Sequence, residues 1–204
     1  DPTSDLIEFL NPLGSDNAYY LDTGWVSSDS TIELPNSSSI WIADKNTIGV
    51  NEPVKLTWTS DQNITFEKII TLDENYLFSV DQRVINNSGL SFDLYPYGLS
   101  KRQGIPEMQN FFILHEGPLS ITDGVLEEYD YDDLKDDKKI KHSSVGGWIG
   151  MTDKYWQTAI IPNQNEPVQQ TYSYSFVDNI DNFQTDIVGE RIAAVSYTHL
   201  RAHE

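Results

Sequence analysis

Residues 54–87 read V-K-L-T-W-T-S-D-Q-N-I-T-F-E-K-I-I-T-L-D-E-N-Y-L-F-S-V-D-Q-R-V-I-N-N, and their rhythm decides the fold. Val54, Leu56 and Trp58 alternate with Lys55, Thr57 and Thr59. Ile64, Phe66 and Ile70 share a face that Lys68 interrupts. Tyr76, Phe78, Val80 and Val84 share another, with Gln82 as the exception. Period two belongs to strands, which send successive side chains to opposite faces, one dry and one wet. Turn signals punctuate the run: Asn51-Glu52-Pro53, Ser60-Asp61-Gln62-Asn63, Asp73-Glu74-Asn75 and Asn86-Asn87-Ser88-Gly89.

The same rhythm returns far along the chain, where Tyr172, Tyr174 and Phe176 alternate with Thr171, Ser173 and Ser175. Many short strands at close spacing predict an all-β sandwich, mainly antiparallel, with little helix. Leu126–Lys141 admits a turn of helix around Tyr131–Leu134 but reads mainly as an acidic loop. Phe9–Gly14 reads as an opening loop, and 27–38, rich in Ser and Asn, as a flexible surface connection. Residues 1–195 are expected to form one domain. The last stretch, Val195–Glu204, breaks the preceding style and holds two of the four histidines. We expect residues 196–204 to be a non-native tail and the domain to be truncated there.

Composition narrows the function classes. Lys plus Arg number 13 against 32 Asp plus Glu, a formal charge of −19. That surface repels a phosphate backbone and argues against lying on anionic lipid. With no cysteine, disulfides and thiolate chemistry are unavailable. No apolar run reaches the ~20 residues of a membrane span, and the opening Asp1-Pro2-Thr3-Ser4-Asp5 is no signal peptide, so the stretch is expected to be soluble. The 5 Trp, 11 Tyr and 8 Phe exclude a disordered acidic tail.

Chemistry-bearing clusters are few. Glu127, Glu128, Asp130, Asp132, Asp133, Asp136 and Asp137 crowd together, and Asp130 and Asp132 are spaced like the first two ligands of a calcium loop. Leu134 stands at the third ligand position and the turn glycine is missing, so a solvated or partner-facing loop balanced by Lys135, Lys138, Lys139 and Lys141 is expected, with no metal. His115-Glu116 sits beside the turn Gly117-Pro118, and His142 is the second native histidine. An acid–base site needs convergent groups, and adjacent strand residues point to opposite faces. No nucleophile elbow, phosphate loop or dinucleotide fingerprint occurs. The triplets at Asn36, Asn63 and Asn86 fit glycosylation only in a eukaryotic secretory setting. The expectation is a non-enzyme without cofactor.

Two clusters are more specific. Leu94-Tyr95-Pro96-Tyr97-Gly98-Leu99-Ser100-Lys101-Arg102 places aromatics and a basic pair at a strand end. Gly146-Gly147-Trp148-Ile149-Gly150-Met151-Thr152-Asp153-Lys154-Tyr155-Trp156 runs on to Ala159-Ile160-Ile161-Pro162. The glycine pair predicts a bulge or close backbone approach. Trp148, Tyr155 and Trp156 fit a cleft or, more simply, a core under a sharp bend.

Gly146–Pro162 resembles the signature of the periplasmic domain of YidC-type membrane-protein insertases. So do Tyr95–Leu99 with Arg102, and Ile113–Pro118. Asp130-Tyr131-Asp132-Asp133-Leu134 before its lysines is similar to the alphaproteobacterial branch. The resemblance spans about residues 6–190. It implies a β-supersandwich of galactose-mutarotase type at the periplasmic face of the inner membrane, tethered by membrane segments outside this chain. It implies the Sec translocon, SecD and SecF as partners, nascent inner-membrane proteins as clients of the membrane part, and an open cleft. Tyr95, Tyr97, Arg102, Trp148, Tyr155 and Trp156 are the candidate cleft surface. Glu127, Glu128, Asp130, Asp132 and Asp133 are the candidate acidic contact. A carbohydrate-binding or sugar-epimerising sandwich is the rival expectation. A calcium-stabilised adhesin-like module is a third.

Overall fold

The computed structural model describes residues 9–106, 115–154, 156–195 and, for the backbone, 199–203. In chain order the elements are β1 (Tyr19–Val26), β2 (Ile42–Ala43), β3 (Val54–Thr59), β4 (Ile64–Leu72), β5 (Phe78–Asn86), β6 (Phe92–Gln103), β7 (Gly117–Thr122) and β8 (Val125–Glu128). Then come α1 (Tyr131–Asp137), β9 (Lys139–Val145), β10 (Trp148–Thr152), β11 (Gln157–Ile160), β12 (Pro167–Val177), β13 (Ile180–Gly189), β14 (Ile192–Ala194) and β15 (His199–His203). The fold is all-β and mostly antiparallel, as the alternation predicts. One sheet has the order β1-β6-β13-β12-β9, with β14 also on β6. A second runs β11-β10-β7-β8, and a third β15-β5-β4-β3-β2.

The chain divides into two compact units, 1–22 with 98–187, and 23–97 with 188–204. In the second unit, Ile64, Phe66 and Val84 of β4 and β5 pack with Trp25, Phe92, Leu94 and Ala194. The alternation around Ile64, Phe66 and Val84, with Trp58 against it, is thus the inner face of this core, whereas Tyr76, in a turn at φ 62°, and Phe78 are exposed and leave the face expected of them. The two interruptions of the alternation have a common cause, for Lys68 and Gln82 are cross-strand partners. Gln82 is fully buried and its Nε2 donates to the Gly24 carbonyl at 3.3 Å. Lys68 Nζ donates to the Thr23 carbonyl and stands 5.2 Å from the Trp41 ring centre. Both polar side chains therefore point inward and are held by the main chain of β1. Pro96 has no amide hydrogen to give a ladder. Gly189 meets it so closely that a Cβ would lie 2.9 Å from Pro96 Cγ. The partner edge of β6 is broken there into β13 and β14.

In the first unit, Ile149, Met151 and Ile160 of β10 and β11 pack with Tyr19, Tyr131, Leu134, Val168, Tyr172, Phe183 and Ile187. Gly146 and Gly147, at φ 65° and 80°, turn the chain from β9 into β10. A Cβ on Gly147 would lie 2.1 Å from the Ile121 carbonyl oxygen, so the expected close approach is present.

Two expectations are corrected. Residues 126–141 are not mainly loop: β8, α1 and β9 occupy most of them. Buried Tyr131 and Leu134, three apart, fasten the helix to the core, while its acids face water. Segment 27–38 is irregular but tied down. Ile32 is buried in the second core, Ser27 Oγ donates to the Asp93 carbonyl at 2.7 Å, and Gln62 Oε1 accepts from Glu33 N at 2.8 Å.

Candidate functional site

Among the described residues of the predicted cleft, Arg102 and Trp156 are brought together through Asp153, with Arg102 at the end of β6. Arg102 Nη1 donates to Asp153 Oδ2 at 3.1 Å, and its guanidinium lies 4.8 Å from the Tyr19 ring centre. Asp153 follows β10 and starts the turn into β11. Its Oδ1 accepts from Trp156 N at 3.0 Å, and its own N–H donates to the Trp156 carbonyl at 2.9 Å. This is why the motif runs Asp153-Lys154-Tyr155-Trp156: the carboxylate organises a tight turn that no apolar residue could hold. Trp156, about two-fifths exposed, stacks on Phe9 with ring centres 4.8 Å apart. Phe9 in turn meets Tyr19 edge-on at 6.4 Å. Tyr19 Oη bonds Thr158 Oγ1 at 2.7 Å, and burial pushes its phenol up from the ordinary value. Tyr131 is buried deeper. Burial pushes its phenol up as well, against the pull of the Arg102 charge, and its hydroxyl has no partner among the described residues.

The result is an aromatic patch of Phe9, Tyr19 and Trp156 around an internal Arg–Asp pair. The pair's charges cancel locally, and both side chains are more than four-fifths buried. Arg102 is therefore a brace between strand end and turn, and the exposed chemistry is Trp156 on Phe9. Phe9, Tyr19 and Thr158 escaped sequence reading because nothing local marks them. Gln164 escaped too. Its amide takes the Gly147 N–H at Oε1, 3.1 Å, and gives Nε2 to the Gly147 carbonyl at 2.9 Å, pairing with the glycine as a strand would.

The other candidates are placed separately. Tyr95 and Tyr97 lie half-buried on the part of β6 that belongs to the second unit. Tyr97 fills the space left by Gly24, where a Cβ would lie 2.9 Å from its ring. Trp148 is half-buried on β10, in register with Ile121. Tyr155 lies outside the described residues, as do Ile113 and Leu114 of the resemblance. A shallow hollow of 290 Å³ in the second unit is lined by Ser28, Asp29, Ser91, Phe92, Asp93, Ala193 and Val195, none of them a predicted residue.

The acidic run is split among three roles. Glu127 and Glu128 end β8, Asp130 is the N-cap of α1, and Asp132 and Asp133 fill its first turn. Asp133 Oδ2 accepts from Asp130 N at 3.1 Å. Carboxylates at a helix start compensate orphan amides and the positive end of the dipole. Lys135 reaches Asp181 at 3.1 Å. Among the described residues no group of three or more His, Cys, Asp or Glu stands ready for a metal ion. His115 Nε2 contacts the Pro118 carbonyl at 3.1 Å, while His142 Nε2 bonds Tyr129 Oη at 2.9 Å.

These placements define an all-β sandwich protein whose candidate surface is an aromatic contact patch braced by an ion pair. The chain belongs to the family of YidC periplasmic domains, whose model matches residues 1–199. It is 37% identical over 183 residues to a protein of Rickettsia canadensis named "Membrane protein insertase YidC", covering 89% of this chain and 33% of that one. With the protein of the same name from Pelagibacter ubique it shares 40% identity over 169 residues, 82% of this chain and 30% of the relative. Both relatives are alphaproteobacterial, as the acidic stretch and its lysines suggested. The chain spans about a third of the length of these relatives. A solved structure, the Slr1438 protein from Synechocystis sp. PCC 6803, aligns with TM-score 0.40 and 10% identity over 80% of this chain and 63% of that one. At that level the likeness carries nothing about a mutarotase type of sandwich.

Proposed function

We propose that this chain is the non-catalytic accessory domain of a YidC-type insertase, working at the periplasmic face of the inner membrane. It holds partner proteins or emerging chain near the membrane, while insertion itself belongs to segments outside residues 1–204. The observation that carries the reading is the family match over residues 1–199, joined to relatives named membrane protein insertases. SecD, SecF and the Sec translocon are the proposed partners. The proposed contact surfaces are, each by itself, Trp148 and Trp156 with the Arg102 brace behind the latter in the first unit, Tyr95 and Tyr97 in the second, and the acids Glu127, Glu128, Asp130, Asp132 and Asp133. We also keep residues 1–195 as the domain and 196–204 as a non-native tail.

The test uses the intact protein in membranes. A photo-crosslinking residue at Trp156 should yield products with SecD, SecF or a stalled nascent chain, and the same residue at exposed Val145 should not. Absence of all three products, together with binding in a calorimetric sugar screen, would replace this reading with the carbohydrate-binding one.

A further inference from the structure

Eight described residues other than glycine take a positive φ. Six are Asn or Asp, whose short polar side chains tolerate that region, and Lys138 is the C-cap of α1. The eighth is Tyr76, at φ 62°, in the loop that joins β4 to β5. An aromatic residue is strained there, and Asn or Gly would serve the turn better. Packing does not hold it either. Tyr76 is 77% exposed, and its side chain has no hydrogen bond or ring contact among the described residues. Leu77 and Phe78 follow, each more than half exposed. Three large apolar side chains in succession thus stand in water at one end of the β4–β5 hairpin, whose last pair is Leu72↔Phe78. A strained residue that serves neither its turn nor the core points to a contact outside the chain.

The loop is stiff and closed to hydrogen bonding. Asp73 Oδ1 accepts from Asn75 N at 2.8 Å and from Leu77 N at 2.9 Å. Tyr76 N donates to the Asp73 carbonyl, and Asp73 N to the Leu77 carbonyl, both at 3.1 Å. Four of the five amides of residues 73–77 are therefore spent inside the loop. A protein partner would be recognised by hydrogen bonds around the apolar contact, and this tip has few to give. Entry into lipid makes the opposite demand, that main-chain groups be satisfied internally. Between Glu74 and Val80 the one charge is Glu74, so nothing in the tip favours anionic lipid.

We propose that Tyr76-Leu77-Phe78 is a lipid-contacting anchor that enters the headgroup region of a zwitterionic bilayer. Tyr76 keeps its hydroxyl among the headgroups, while Leu77 and Phe78 go deeper. Glu74 stays at the level of the headgroup cations. Three side chains bind weakly by themselves, so the tip works where the chain is already held at a membrane. This occupant rests on the insertase reading, which sets the chain at a membrane face. The strain and exposure of the tip do not.

The full 204-residue chain has no cysteine, so Asn75→Cys carries a single polarity-sensitive NBD dye. Asp61→Cys, in the exposed turn at the other end of β4, is the control. Phosphatidylcholine vesicles are titrated into each. The expected result is a blue shift that saturates with lipid at Asn75→Cys and none at Asp61→Cys. Leu77→Asp, added to the Asn75→Cys chain, should weaken partitioning about tenfold or more. Tyr76→Asn should weaken it about fivefold while leaving Tm unchanged or higher, because Asn adopts this backbone region readily. No shift at Asn75→Cys overturns the proposal and leaves the insertase reading to its own crosslinks. So do equal shifts at both sites, or partitioning unchanged by Leu77→Asp or Tyr76→Asn. A lower Tm in Tyr76→Asn would make the tyrosine structural and also overturns it. A shift that needs added SecD or SecF, or one that grows with protein concentration without lipid, would put a protein partner or a second copy on the tip and equally overturn it.

Discussion

At the scale of single residues, glycines of the same backbone class carry different loads. Gly147 and Gly124 have φ of 80° and 82°, but a Cβ on Gly147 meets the Ile121 carbonyl at 2.1 Å whereas one on Gly124 meets nothing within 4 Å. Gly124→Ala should cost only the left-handed backbone penalty, about 1–2 kcal/mol. Gly147→Ala adds a clash with main chain that cannot rotate away, and at least about 3 kcal/mol is expected. Urea midpoints of the two variants check this, and equal midpoints would refute the close approach. Asp186 supplies the pH dependence. Burial raises its carboxyl above the ordinary value, against hydrogen bonds from Gln184 and Thr171 and the charges of Lys139 and Lys141. Its charged form is disfavoured in the folded chain, so its destabilising effect is full above the folded pKa. That effect fades as pH falls through the folded value towards the unfolded 3.8. Asp186→Asn should raise Tm at pH 7 and match the parent below about pH 3.8. A lower Tm for the variant at pH 7 would mean that the charge is net useful.

Among the elements, α1 shows how a charged sequence hides a helix. Seven acids made the stretch look solvated, but two apolar residues three apart suffice to dock one helical turn on a sheet. Leu134 is fully buried, and Leu134→Ala should cost about 2–5 kcal/mol. Denaturant unfolding measures it, and a loss below about 0.5 kcal/mol would detach the helix from the core. Calcium or a chelator should leave Tm unchanged, because Asp130 and Asp133 serve the helix start. The brace between β6 and the β10–β11 turn is the second element-scale case. Arg102→Met leaves Asp153 with a partly buried charge and should cost about 1–3 kcal/mol. Most of that loss should vanish in the Asp153→Asn background, as a double-mutant cycle would reveal.

For the whole molecule, charge decides what the surface meets. A chain of net charge −19 should stay off anionic vesicles even at low salt, where attraction would be strongest. Co-sedimentation with phosphatidylserine vesicles tests this, and binding would point to a basic or apolar face not visible in the composition. The sequence alone determined the fold class, because period two needs only local geometry and one dry face. It also determined the family, through the long motif from Gly146 to Pro162, and the bend at Gly146-Gly147, because main chain approaches both so closely that only glycine leaves room. It placed Arg102 and Trp156 among the candidates, but not the reason they matter. The ion-pair partner Asp153 lies 51 residues along the chain from Arg102, and Phe9 and Tyr19 come to the patch from far earlier in the sequence. Lys68 and Gln82 looked like flaws in a pattern until β1 was seen to accept their hydrogen bonds. Contacts between residues distant in sequence leave no local signature, so the strand pairing and the braced aromatic patch were decided by the tertiary structure.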